Sequence, residues 1–198
     1  MRQHTIAIAT IVIIVGMIVA SSIIFKPAFD NPGIVIKEAP LQKNADLQLK
    51  PGETYQYAAL MNQSSMNITY ETWQGDGCLV VQLMGTENFT GVCLDRYGMD
   101  SGYDSTVSDP AIIMFRPWML ALKEGWHWNS SVYIRTNGGI RHVSDTYYRV
   151  IRKENYSGRE AFIVELSSDD GPPEYQWIDA GKRILLRMSG NGYDIRLE

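Results

Sequence analysis

The chain has 198 residues, a fifth of them charged, with a formal net charge of -4 and a sequence pI near 5.4. Its basic residues are scattered, which argues against a nucleic-acid binder, because phosphate binding needs clustered Lys and Arg to replace counterions. Abundant Tyr and Trp, with few charges, mark a globular chain rather than a disordered one, and its length leaves room for one sizeable domain.

The first element in chain order is residues 6–25, a run with no charged side chain. At 1.5 Å per residue it is long enough to cross a hydrocarbon core of roughly 30 Å. The rival reading is a cleaved signal peptide: Ala20, Ser21 and Ser22 are small enough for a cleavage site, yet Ile23, Ile24 and Phe25 carry the run past them. No Cys follows directly, which excludes lipid attachment at a new N-terminal cysteine. Arg2 and the terminal amine before the span favour a cytoplasmic residue 1–5 segment, and Lys26 opposes that signal. Residues 26–50 hold Pro27, Pro32 and Pro40 among polar residues and read as a linker, with a short strand at Ile34 to Ile36.

Two features place residues 51–198 on the outer, oxidising side of the membrane. Asn62, Asn67, Asn88, Asn129 and Asn155 each begin an N-x-[ST] sequon, five of the nine asparagines, where roughly one is expected by chance. This density suits a glycosylated archaeal or eukaryotic cell surface. The other feature is a pair of cysteines, Cys78 and Cys93, which bracket a hairpin pattern. With Gly85 and Thr86 as a type II′ loop, Met84 faces Glu87 and Cys78 comes opposite Cys93. That geometry permits a disulfide, and two free buried thiols are the alternative.

Strand patterns then recur at short intervals: TYQYAALM, MNITYETW, CLVVQLM, FTGVCL, WHWNSSVYIRT, IRHVSDTYYRVIR, AFIVEL, EYQWIDA, RILLRM and YDIRL. Gly-, Asn- and Asp-rich turns between them are the chemistry of an antiparallel sheet. One interruption, AIIMFRPWMLAL at residues 111–122, is apolar around Pro117 and reads as one or two short helical turns over the sheet. In the longest hairpin, an Asn137-Gly138 loop makes His127 oppose Tyr148 and Trp128 oppose Tyr147. One face then collects Trp126, Trp128, Val132, Ile134, Val143 and Tyr147. The other collects His127, Asn129, Ser131, Tyr133, Arg135, His142, Ser144 and Thr146.

Candidate chemistry is sparse. His127 and His142 lie about 20 Å apart on that ladder, too far to share a metal. Asp95, Asp100, Asp104 and Asp109 share one loop, but their spacing fits no defined calcium loop and reads as a solvated turn. No G-x-S-x-G elbow, phosphate-binding glycine loop or H-E-x-x-H pair is present, so the expectation is a protein that is not an enzyme and needs no cofactor or metal.

The second half of the chain carries a family resemblance. Gly125-Trp126 opens a strand, Gly158 to Val164 supplies a G-x-x-A/F strand, and Trp177-Ile178-Asp179 precedes the apolar strand from Ile184 to Met188. These features resemble the incomplete β-barrel superfamily of periplasmic lipoprotein carriers and related envelope proteins. The resemblance implies a mainly β fold, a curved antiparallel sheet or half-barrel with short helical turns over its concave face and room for an acyl chain. A membrane span in place of a lipobox or free carrier departs from that pattern, so shuttling between membranes is not implied.

Two readings follow. In the first, the membrane-anchored half-barrel binds a lipid or other apolar ligand, lined by Trp126, Trp128, Val132, Ile134, Val143 and Tyr147. In the second, the chain's own side chains fill the concavity, and the domain is a non-enzymatic accessory module whose partner is an envelope protein.

Overall fold

A computed structural model describes residues 34–62, 64–84, 92–95, 98, 112–136, 139–169 and 171–198. The expected span at residues 6–25, Asn88, and Asp100, Asp104 and Asp109 lie outside the described residues. No helix among those described is long and apolar enough to cross a membrane.

The fold is mainly β, with a single five-residue 3₁₀ helix, Pro117–Ala121, among the described residues. The strands are β1 (Ile34–Glu38), β2 (Thr54–Met61), β3 (Ser64–Gln74), β4 (Leu79–Leu83), β5 (Val92–Leu94) and β6 (His127–Thr136), followed by β7 (Gly139–Tyr156), β8 (Arg159–Ser168), β9 (Glu174–Asp179), β10 (Leu185–Gly190) and β11 (Tyr193–Leu197). Every pairing is antiparallel, in the order β1-β6-β7-β8-β9-β10-β11-β2-β3-β4-β5. The sheet is open, with β1 and β5 as its edges. Its two meanders, β2 to β5 and β6 to β11, meet where β11 lies against β2.

Strand alternation sets an inner and an outer face. In β2 the buried residues are Tyr55, Tyr57, Ala59 and Met61, every second position, as a pleat requires. β3 continues the same face with Tyr70 and Thr72, and β6 with Trp126, just before it, and Trp128. The alternation lapses in β8, where Ala161, Phe162, Ile163 and Val164 are all buried. Phe162 and Val164 join the main core, while Ala161 and Ile163 form a second cluster with Leu186, packed against by Ile151, Tyr156 and Trp177. Arg187 lies with its guanidinium 4.8 Å from the Trp177 ring and bonds Asp194 through two nitrogens, so a paired cation lies against this cluster.

The β6–β7 register corrects one expectation. From Thr136↔Gly139 to Tyr133↔His142 the pairs follow the expected count, but a bulge at Val143 then makes Val132 face Ser144 and Trp128 face Tyr148. One extra residue on β7 moves every later side chain to the opposite face. Tyr148, 5% exposed, therefore sits in the core, whereas Tyr147 and Val143 are 47% and 45% exposed. Thr146, expected on the solvent side, is buried.

The first hairpin gives the expected disulfide through a different register. Cys93 pairs with Val80, two residues from the expected partner, and Cys78 lies just before β4. A shift of two keeps the same face, and the two Cα atoms are 5.6 Å apart across the Cys78–Cys93 bond. In the segment read as a linker, the short strand expected at Ile34 to Ile36 is present as the edge strand β1, and Ala39, Leu41, Leu47 and Leu49 after it pack against the core.

Two measurements check this account. Tyr148→Ala should cost about 3–5 kcal/mol of stability, as large aromatic deletions do, and Tyr147→Ala should stay within roughly 1 kcal/mol; the reverse order in thermal melts would restore the unbulged register. Replacing Cys78 and Cys93 together by Ala opens a loop of separation 15 and should lower stability by about 3 kcal/mol in denaturant titration.

Candidate functional site

Residues 112–122 lie against the inner face, on the side of the sheet where a ligand is expected. Ile112, Met114, Phe115, Met119, Leu120, Ala121 and Leu122 are all at 0% exposure. Pro117 fixes the start of the 3₁₀ turn at a position whose N–H would have no helical partner.

A buried irregular segment must find partners for its backbone polar groups, and this one does. The Leu185 N–H donates to the Met114 carbonyl at 2.8 Å, and the Asn44 and Ala45 N–H groups donate to Leu120 O at 2.9 and 3.1 Å. Asn44 Nδ2 donates to Ala121 O, and Arg183 Nη1 to Leu122 O at 3.1 Å. From β3, Tyr70 Oη accepts the Ile113 N–H at 3.3 Å.

Arg183 reaches Leu122 from a left-handed backbone, φ 61°, and its guanidinium stacks 4.8 Å from the Phe162 ring. Its Nε is a buried nitrogen without a hydrogen-bond partner, and loss of water pulls its pKa down, with Asp179 opposing.

Of the aromatic residues expected to line a cavity, Trp126 packs directly on this segment and Trp128 packs beside it. Trp118 stacks on Trp126 at 6.0 Å between centroids, Trp126 on Trp128 at 6.4 Å, and Tyr148 tilts against both Trp118 and Trp128 at 5.3 and 5.0 Å. Trp128 Nε1 donates to Ala39 O at 2.7 Å, which satisfies its one polar atom. Val132 and Ile134 share this side of the sheet and are half-buried, while Val143 and Tyr147 are on the outer face. The structure thus brings together four of the six expected lining residues. Tyr148 and Val150, which the count by twos passed over, take the inner positions.

His127 and His142 are both exposed, and His142 Nε2 lies 2.9 Å from Asp145 Oδ1. Among the described residues no group of three His, Cys, Asp or Glu side chains is placed to hold a metal. The four described sequon asparagines, Asn62, Asn67, Asn129 and Asn155, are all exposed. Asn155 uses its Oδ1, which accepts the Gly158 N–H, and so keeps its amide nitrogen outward.

Two polar clusters carry no motif in the sequence. An open cleft of about 270 Å³ is lined by Glu53, Tyr55, Arg159, Lys182 and Glu198 among others. In it Lys182 Nζ lies 2.6 Å from Glu53 Oε1 and the Tyr55 hydroxyl donates to Glu53 Oε2 at 2.7 Å. Burial raises the Glu53 pKa, but the bonds from Lys182 and Tyr55 outweigh it and hold the carboxyl below its usual range. The other cluster sits beside Met188, where the Tyr193 hydroxyl and Gln176 Nε2 donate to the two oxygens of Glu174. There burial dominates and pushes the Glu174 carboxyl up, against the opposing pull of both bonds and of Arg116. No sequence signal marks either cluster, because Lys182 and Tyr193 lie far along the chain from Glu53 and Glu174.

Comparison with protein-family models, with curated proteins and with solved structures finds no significant match.

Glu174 yields a pH test. A carboxyl whose pKa is raised on folding binds its proton more tightly in the folded state, so its contribution is fully present below the unfolded value and is lost as pH rises through the folded one. Glu174→Gln should therefore flatten the decline of melting temperature from pH 4.5 upward and melt above the parent protein at pH 7. An unchanged slope would show that Glu174 ionises without cost.

Proposed function

We propose that the chain is a membrane-tethered, extracytoplasmic and glycosylated interaction module, with no enzymatic activity, whose sheet wraps as a half-barrel around its own residues 112–122. The observation that carries this reading is the burial of that segment with its carbonyls bonded to β10, to Asn44 and Ala45, and to Arg183. Curvature is supported by two contacts of that segment: Ile113 meets Tyr70 on β3, while Trp118 meets Tyr148 on β7. Six strand spacings, about 29 Å in a flat sheet, separate those strands.

The lipid reading is the weaker one. An acyl chain would have to displace residues 112–122 and leave the donors that now bond them, on Leu185, Asn44, Ala45 and Arg183, facing hydrocarbon with no acceptor, at a cost of about 1–3 kcal/mol for each buried donor left unpaired. The likeness of Gly125-Trp126 and Trp177-Ile178-Asp179 to the incomplete β-barrel superfamily bears on the sheet alone and carries no ligand with it. Tethering rests on the apolar run at residues 6–25, and the outer location on the sequons and the Cys78–Cys93 bond.

Native mass spectrometry of the full chain released from detergent tests the reading. The expected mass is polypeptide plus sugar, and protease added outside intact cells should cut after about residue 30. A stoichiometric lipid adduct that survives delipidation would reinstate the half-barrel as a carrier, and protection of the domain from protease would reverse the topology.

A further inference from the structure

Tyr147 is a large aromatic residue left 47% exposed by the bulge at Val143. Its cross-strand partner on β6 is Asn129, the sequon asparagine, and its partner on β8 is Ser167. Residues directly opposite in an antiparallel pair point to the same face with their Cβ atoms about 4.5–5.5 Å apart. The amide of Asn129 and the ring of Tyr147 are therefore outer-face neighbours, and the short Ser167 leaves the ring uncovered on its other side. The surroundings reinforce the placement. Ser131, the hydroxyl residue of the same sequon, pairs with Asp145, which interacts with Ser131 and accepts a long bond from the Tyr147 hydroxyl at 3.5 Å. The ring is thus held leaning along its strand beside the asparagine.

We propose that the first sugar attached to Asn129 packs its apolar C–H face on the ring of Tyr147, so that the glycan is a structural cover of this part of the outer face. The inference rests on the reading of Asn129 as glycosylated. A pyranose ring joined through the asparagine nitrogen carries axial C–H groups on one face and extends by about the Cβ separation of the pair. The ring face of an aromatic side chain is electron-rich, and polarised C–H groups are complementary to it. Asn67, by contrast, has Ala58 as its cross-strand partner and offers its sugar no ring on that side. The same modification at Asn67 is therefore a surface decoration.

The test is a double-variant cycle on the full chain in detergent micelles, produced in a cell that glycosylates, with occupancy at Asn129 read by glycopeptide mass spectrometry. Asn129→Gln should lower the melting temperature by about 2–4 °C in the parent chain and leave it unchanged in a Tyr147→Ala background. Tyr147→Phe, which keeps the ring and loses the hydroxyl, should retain the full effect. Asn67→Gln serves as the control and should shift nothing. An occupied Asn129 with equal shifts in both backgrounds overturns the stacking alone, and an unmodified Asn129 overturns the sequon reading together with it.

Discussion

An irregular, mostly apolar segment can be buried inside a β protein only if its backbone carbonyls are bonded, and this requirement at residues 112–122 organises much of the molecule. It explains why the segment before β2 is fastened to the domain, since Asn44 and Ala45 supply three donors to Leu120 and Ala121. It gives a reason for Arg183 to accept a left-handed backbone in the turn before β10, where its guanidinium reaches Leu122. It also accounts for the irregular register between Leu185 and Arg187, because there Leu185 donates to Met114 and accepts from the Tyr57 hydroxyl.

Around this centre the two faces of the sheet solve different problems. The inner face is a packed aromatic and aliphatic interior, with Trp128 and Tyr148 in contact and the indole N–H satisfied by Ala39. The outer face must remain soluble, yet it too buries Ala161, Ile163 and Leu186. Long amphipathic side chains close that gap: Trp177 donates to Glu154, which also accepts from Arg152, and Arg187 is held over the indole by Asp194. Isolated exposed ion pairs add little stability. In this ladder their value lies in fixing where the covering stems rest.

Most of the architecture was legible in the sequence because period-two patterns and turn residues are local signals. Every one of the ten expected strands appears, and the apolar interruption around Pro117 is the 3₁₀ turn. What failed was register. Nothing in HVSDTYY distinguishes a bulge at Val143 from regular pairing, since Tyr147 and Tyr148 are the same residue type and either one satisfies the pattern. Cys78 and Cys93 illustrate the converse: a slip of two residues preserves the face, so the bond was inferred through pairs that do not exist. The clusters at Glu53 and Glu174 were invisible for another reason. Lys182 and Tyr193 reach them across the sheet, from positions that no spacing rule connects.

The position of β11 has a consequence for how the domain is made. β11 lies between β10 and β2, so while one side of Ala59 pairs locally with Met66, its other side pairs with Ile195, almost at the opposite end of the chain. Until that pairing forms, β2 presents an unpaired ladder of N–H and C=O groups, and such long-range pairings are slow to form. During that interval the early meander from β2 to β5 is a nascent sheet in search of a strand, open to capture by a neighbouring copy. Asn62, at the β2–β3 turn, stands at one end of the waiting edge, next to Met61. Under the proposed glycosylation, bulky sugar added at Asn62 before the last strand is available would act as a steric chaperone, blocking intermolecular pairing along that edge.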